Sequence, residues 1–193
     1  MKAIDRRVKR TKKLLRQGLI SLLMEKDINS ITINELVNLV DINRGTFYLH
    51  YKDLYDLLHQ IEDDLMSELT GILNEYNIDG MKDENKLFFV DILKFIKENA
   101  DLVLLLLSQN GDLAFLNKLK KAVEENCFQN LKQLYQHANP YSYAVFTAYS
   151  VSGSIGVIQL WLENGHSESI ESLAYILANI VEKGLGYLEN PNP

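Results

Sequence analysis

The chain has little of several residues that would point to particular chemistries: one cysteine, three prolines and four histidines among 193 residues. The lone Cys127 excludes an internal disulfide and fits a reducing compartment. No basic cluster lies near it in sequence to lower its pKa, so it reads as a small buried hydrophobe. His50, His59, His137 and His166 are scattered, with no His-x-x-x-His or Cys-x-x-Cys spacing, so neither a metal nor another cofactor is expected. There is no glycine-rich phosphate loop and no nucleophile elbow; Gly153-x-x-Gly156 sits inside an apolar helical pattern. An enzymatic reading therefore has no residue to rest on. The longest unbroken apolar run, Leu102 to Leu107, is far short of the roughly 20 residues that span a bilayer. The basic N-terminal segment lacks the apolar stretch that follows in a secretory signal. A cytoplasmic location without membrane engagement is the expectation.

What is present is helical material with an uneven charge distribution. Two of the three prolines fall in the last three residues, few segments alternate with a period of two, and about nine helical patterns follow one another. At 47% apolar and 24% charged, the composition is that of an ordinary globular chain. The net charge of −6 hides a division: residues 1–52 hold 11 Lys and Arg against 5 Asp and Glu, and the remainder holds 9 against 21. The basic excess is concentrated in Arg6-Arg7-Val8-Lys9-Arg10-Thr11-Lys12-Lys13-Leu14-Leu15-Arg16, a segment that attracts phosphate.

Directly behind it lie two short capped helices. Thr32-Ile33-Asn34-Glu35 fits a capping box, and Ile33, Leu36, Val37 and Val40 give the first helix one apolar face. After a turn of about three residues, Asn43 is a suitable N-cap for a second helix that starts at Arg44. Phe47 and Tyr51, four apart, can face the core and leave Arg44, Gly45, Thr46, Tyr48 and His50 outward. Arg44 can pair with guanine edges, the Thr46 methyl can touch thymine, and Gly45 allows close backbone approach. Tyr48, His50 and Lys52 suit phosphate oxygens, which fix register without carrying sequence information.

The order from Ile31-Thr32-Ile33-Asn34-Glu35-Leu36 through Ile42-Asn43-Arg44-Gly45-Thr46-Phe47-Tyr48-Leu49-His50-Tyr51-Lys52-Asp53 resembles the N-terminal domain of the TetR family of one-component transcriptional regulators. The resemblance implies phosphate contacts at Thr32, Tyr48, His50 and Lys52, and places Asn43, Arg44, Gly45 and Thr46 at or near base edges. It implies an all-α fold in which a three-helix helix-turn-helix domain, residues 1–52, precedes a helical ligand-binding and dimerisation domain, residues 53–193. Three positions depart from the family pattern: Asp41 stands where glycine is usual in the turn, Gly18 where the first helix usually has alanine, and Leu54 where the fourth helix often begins with lysine.

In the rest of the chain, Leu54, Leu57, Leu58, Ile61, Leu65, Leu69 and Ile72 form one stripe on a helix over 53–76. Glu62-Asp63-Asp64 reads as a solvated acidic face, residues 77–85 as a loop, and Leu102–Leu107 as a buried helix. Asn110-Gly111-Asp112 is a turn signal; Asn139-Pro140 opens a helix that Asn164-Gly165 stops, and Ser167 or Ser169 caps the last one. Ser150, Ser152, Gly153, Ser154 and Gly156 cluster small residues on the 141–163 helix and suggest close helix packing. By the resemblance the last two helices pair with those of a second copy, giving a homodimer with Ser152, Gly153, Gly156, Ile176 and Ile180 at the interface. The resemblance also implies an effector pocket in the body, lined by Phe89, Phe115, Tyr149 and Trp161. The resulting expectation is a repressor that binds a palindromic double-stranded DNA operator as a homodimer and is released by a small-molecule effector. An activator of the same family, or a helical protein-interaction adaptor with a basic head, is the alternative.

Overall fold

The computed structural model describes residues 2–76, 81–108, 111–134 and 139–189. Among the described residues the regular structure is helical throughout: α1 (Lys2–Glu25), a 3-10 turn (Ile28–Ser30), α2 (Ile33–Leu39), α3 (Arg44–Tyr48), α4 (Leu54–Glu75), α5 (Met81–Glu98), α6 (Ala100–Leu107), α7 (Leu113–Leu134), α8 (Pro140–Glu163) and α9 (Ile170–Glu189). Two compact units divide them, Met1–Met66 with Asp101–Phe115, and Ser67–Ala100 with Leu116–Pro193. The first unit thus continues past residue 52 into α4 and takes in α6.

The first unit is built on the apolar side of α1. Leu15, Leu19, Leu22 and Leu23 are buried, while Arg6, Arg7, Lys9, Arg10, Lys12 and Lys13 stay exposed. α1 packs against α2, and α2 against α3. Gly18 makes the first of these contacts possible. A Cβ there would lie 2.4 Å from Val40 Cγ1 and 2.9 Å from Leu36 Cδ1, far inside van der Waals contact. The departure from alanine in α1 is therefore a packing requirement. Gly18→Ala gains about 1 kcal/mol of helix propensity but incurs overpacking of about 1 to 3 kcal/mol against a stiff β-branched side chain and a buried leucine. The expected result is a less stable variant in a urea melt, by about 1 kcal/mol. A midpoint at or above that of the native sequence would mean that α2 yields without cost.

Further along the unit, Leu54, Leu57, Ile61 and Leu65 of α4 are buried in the expected stripe. Glu62 breaks the expected solvated acidic face: it is buried, while Asp63 and Asp64 are exposed. Helical geometry accounts for this, since position 62 adjoins Ile61 and Leu65 on the inward side and its two acidic neighbours turn away. In α6, Leu102, Leu105 and Leu106 are buried as expected.

In the second unit α5 and α8 both pack against α9. α5 starts at Met81, so 81–85 belongs to a helix instead of the expected loop; residues 77–80 lie outside the described residues. Acidic residues near a helix start favour the helix dipole, and a polar stretch at that place does not break the helix. α8 opens on Asn139, whose side chain accepts from Tyr141 N, with Pro140 at the first position where its missing N–H costs nothing. It buries Tyr143, Thr147, Val151, Ile158, Trp161 and Leu162 along one side. Its end is a Schellman motif: His166 N donates to Trp161 O at 3.0 Å, Gly165 N to Leu162 O at 3.1 Å, and Gly165 has φ 65°. The accompanying contact is the Trp161 ring against His166, centroids 4.8 Å apart, while Trp161 Nε1 donates to Glu168 O at 2.9 Å. Ser169 then caps α9, its Oγ accepting from Ser172 N. Cys127 packs with Phe128, Phe146 and Val181 around Leu131 and Tyr143, and burial pushes its thiol pKa up.

By length and composition α8 could also cross a bilayer. No unbroken apolar run reveals this, because Ser, Gly and Tyr interrupt its apolar residues.

Candidate nucleic-acid interface

Both expected caps of the paired helices are formed. Thr32 Oγ accepts from Glu35 N at 3.2 Å, and Asn43 Oδ1 accepts from Gly45 N at 2.7 Å. The Glu35 carboxylate pairs with Lys26 Nζ at 2.5 Å. That bond is the largest cause of its lowered pKa, with the Thr32 backbone contributing a smaller part in the same direction. Glu35 thus ties the end of α1 to the start of α2 in addition to its capping role. Between the helices, Asp41 adopts φ 52°, the left-handed conformation that glycine usually supplies. Aspartate is among the few residues that tolerate it, so the turn is kept without glycine. Ile42 N donates to Val37 O and closes the turn.

On α3 the inward and outward sides separate cleanly. Phe47 is 0% exposed and Tyr51 is buried; their rings lie 5.8 Å apart, and the Tyr48 ring meets Phe47 edge-on. Arg44, Gly45 and Tyr48 are exposed, Thr46 and His50 half-buried. Arg44 Nη2 donates to Tyr48 Oη at 3.2 Å, and its guanidinium carbon lies 5.6 Å from the Tyr48 ring centroid. Lys12 of α1 lies 5.8 Å over the Tyr51 ring, which brings the basic helix to the end of α3.

The chemistry available at each expected position can be stated. Asn43 has its carbonyl oxygen engaged in the cap, which leaves its NH2 group to donate. The Thr32 hydroxyl accepts one bond and keeps a proton for a phosphate oxygen. Lys52 is exposed, with its backbone N donating to Asp56 Oδ2 at 2.9 Å and its ammonium on the outside. Leu54, at the place where a lysine is common, is buried and its side chain brings no donor for phosphate. Leu49 has no role in the sequence pattern, yet it is 79% exposed just beyond α3, one turn after Gly45, whose carbonyl accepts from its backbone N. An apolar residue at i+4 from an outward glycine was the available signal.

The other expected site residues fall in different places. Ser152, Gly153, Gly156, Ile176 and Ile180 are all exposed. A Cβ on Gly153 or Gly156 would meet no atom within 4 Å, so the small residues do not mark close packing within one chain. Tyr141, Val145, Tyr149 and Leu160 of α8 and Tyr175 of α9 are exposed large residues as well. Of the residues expected to line a pocket, Phe89 and Trp161 are buried in the second unit, Phe115 is buried in the first, and Tyr149 is 73% exposed.

Residues 83–183 match the TetR-type family described as Transcriptional regulator C-terminal region, a match over more than half of the chain. The chain belongs to the TetR family of transcriptional regulators. It is 28% identical over 182 residues to the HTH-type transcriptional regulator YxbF of Bacillus subtilis strain 168, covering 90% of this chain and 45% of that protein. The chain thus spans about half the length of the curated relative it matches. Among solved structures, a TetR transcriptional regulator from Streptococcus agalactiae 2603V is 27% identical, with a TM-score of 0.57 over 93% of this chain and 97% of the other. A TetR-like regulator from Rhodococcus sp. RHA1 shares the fold at a TM-score of 0.68 and 11% identity, over 90% of this chain and 94% of its own. The helical architecture with an N-terminal helix-turn-helix is thus the TetR arrangement.

Proposed function

We propose that this TetR-family chain binds a palindromic DNA operator as a homodimer and represses transcription until a small-molecule effector releases it. Residues 1–52 are its DNA-binding head and 53–193 its regulatory and dimerisation region. The observation that carries the reading is the two-sided α3: Phe47, fully buried, pins the helix, while Arg44, Gly45 and Tyr48 stand exposed behind a basic α1. Arg44, Gly45, Thr46 and the Asn43 amide read base edges; Thr32, Tyr48, His50 and Lys52 hold phosphates.

The exposed apolar residues of α8 and α9 support dimerisation, with Ser152, Gly153, Gly156, Ile176 and Ile180 at the contact. One short recognition helix binds too weakly alone, and two-fold symmetry places two of them about 34 Å apart, in successive major grooves. α4 is a single helix that begins three residues after Tyr51 and ends in the second unit. Its movement changes the spacing of the paired heads, and an effector that binds the mismatched spacing more tightly lowers operator affinity. The effector site lies in the body, with Phe89 and Trp161, both buried in the second unit, as its candidate residues.

Footprinting on the DNA upstream of the chain's own coding sequence, at physiological salt, tests the reading. A protected palindrome is expected, and Arg44→Ala should weaken binding to it by about 1 to 3 kcal/mol without lowering the melting temperature. Equal affinity for the upstream and scrambled duplexes would reject operator recognition and favour a protein-interaction role for the basic head.

A further inference from the structure

The exposed surface of the helix pair contains a side-chain arrangement that the sequence pattern does not reveal. Arg44, the first residue of α3, is held from two helices at once. Its Nη1 donates to Asn34 Oδ1 at 3.2 Å, across from the second residue of α2, and its Nη2 donates to Tyr48 Oη at 3.2 Å. The guanidinium also lies against the Tyr48 ring. Asn34 is exposed and takes no part in the core. Its side chain meets Arg44 ten residues away.

The donor count of this arrangement matters for what it can bind. A guanidinium carries five N–H donors in a planar fork. One on each terminal nitrogen is engaged here, which leaves the other N–H of both terminal nitrogens and the Nε–H free. That remainder suffices for a bidentate pair with guanine O6 and N7. Tyr48 Oη accepts from Arg44 and keeps its own proton, which can go to a phosphate oxygen. The arginine can therefore engage a base edge without breaking either bond. A long flexible side chain held this way loses less freedom when it binds.

We propose that Asn34 is a positioning residue that holds the Arg44 guanidinium in the orientation in which it reads a guanine. The proposal rests on the reading of α3 as the recognition helix. Asn34 acts through Arg44 and makes no base contact of its own.

The test is a double-mutant cycle with the full-length chain and the duplex defined by footprinting, read by fluorescence anisotropy. Each guanine of one half-site is replaced in turn by 7-deazaguanine, which lacks the N7 acceptor. The native protein should lose about 10-fold in affinity at one guanine per half-site, the one that Arg44 reads. Asn34→Ala should weaken binding to the unmodified duplex about 5-fold and reduce discrimination at that same guanine to about 2-fold or less, with other positions unaffected. Asn34→Gln, which retains a carbonyl acceptor, should recover part of it. In an Arg44→Ala background, Asn34→Ala should have no further effect. An undiminished effect in that background would show direct contact between Asn34 and DNA and overturn the proposal. Tighter binding by Asn34→Ala would also overturn it, by showing that the bond competes with DNA. If Arg44→Ala weakens binding while Asn34→Ala does not, the positioning role fails and the recognition helix stands. If Arg44→Ala itself has no effect, the reading of α3 fails, and the proposal with it. Matching circular-dichroism melts for Asn34→Ala and the native chain exclude a folding defect.

Discussion

In the proposed homodimer, replacing Ile176 and Ile180 together by glutamate is expected to convert dimer to monomer and to abolish binding to the proposed operator at concentrations where the native protein saturates. The two isoleucines lie one helical turn apart on α9 and are 44% and 50% exposed in the single chain. Exposed apolar residues of α8, including Val145 and Leu160, add to the uncovered surface. A stable dimer buries about 1,200 to 2,000 Å² in total, and its centre excludes unpaired charge. Two-fold symmetry places four new carboxylates in that contact, each costing several kcal/mol to desolvate without a partner. A weakening of dimerisation by at least about a thousandfold, roughly 4 kcal/mol, is expected. The same side chains are solvated in the monomer, so helix content should not change. Sedimentation velocity gives the decisive measurement: a variant that still sediments as a dimer would remove this face of α9 from the interface.

The second large effect is on stability. Phe47→Ala removes the fully buried ring on which α3 rests, together with its edge contact to Tyr48 and its tilted contact to Tyr51. Deletion of a buried phenylalanine costs about 3 to 5 kcal/mol, the lost transfer energy plus the cavity that remains. For a chain of this size that lowers the melting temperature by about 6 to 20 °C. Operator binding should fall with it, because Arg44 and Tyr48 lose the surface that aims them. Arg44→Ala, at an exposed neighbour, should impair binding with no change in melting. A Phe47→Ala melt within about 2 °C of the native one would mean that the head refills the cavity, contrary to the close packing of protein interiors.

Much of the site was legible in the sequence because its signals are local. Thr32 and Asn43 cap helices with atoms two or three residues away, and Asn139-Pro140 and Asn164-Gly165 bound α8 by the same short-range chemistry. The burial of Phe47 and Tyr51 follows from a four-residue spacing that one turn closes, Tyr51 N bonding Phe47 O just beyond the end of α3. Two of the misses, Gly18 and the bond between Asn34 and Arg44, depend on a partner distant in sequence, while that at Glu62 lies within its own helix. In the sequence Gly18 stands out only as a departure from alanine, because the Val40 and Leu36 side chains that require it are 22 and 18 residues away. Glu62 read as solvated from its acidic neighbours, while its burial is set by the stripe it adjoins. The bond between Asn34 and Arg44 crosses a turn whose shape depends on Asp41 at positive φ.

The sequence by itself determined the helical class, most helix limits, the caps, the inward and outward sides of α3 and the concentration of positive charge before residue 52. These rest on hydrogen bonds and periodicities within a few residues of one another. Tertiary structure alone decided why α1 carries a glycine, that the small residues of α8 face outward, that Phe115 lies in a different compact unit from Phe89 and Trp161, and that Arg44 is held by Asn34. Each of these depends on the distance between segments far apart along the chain, which only the packing of one helix on another fixes.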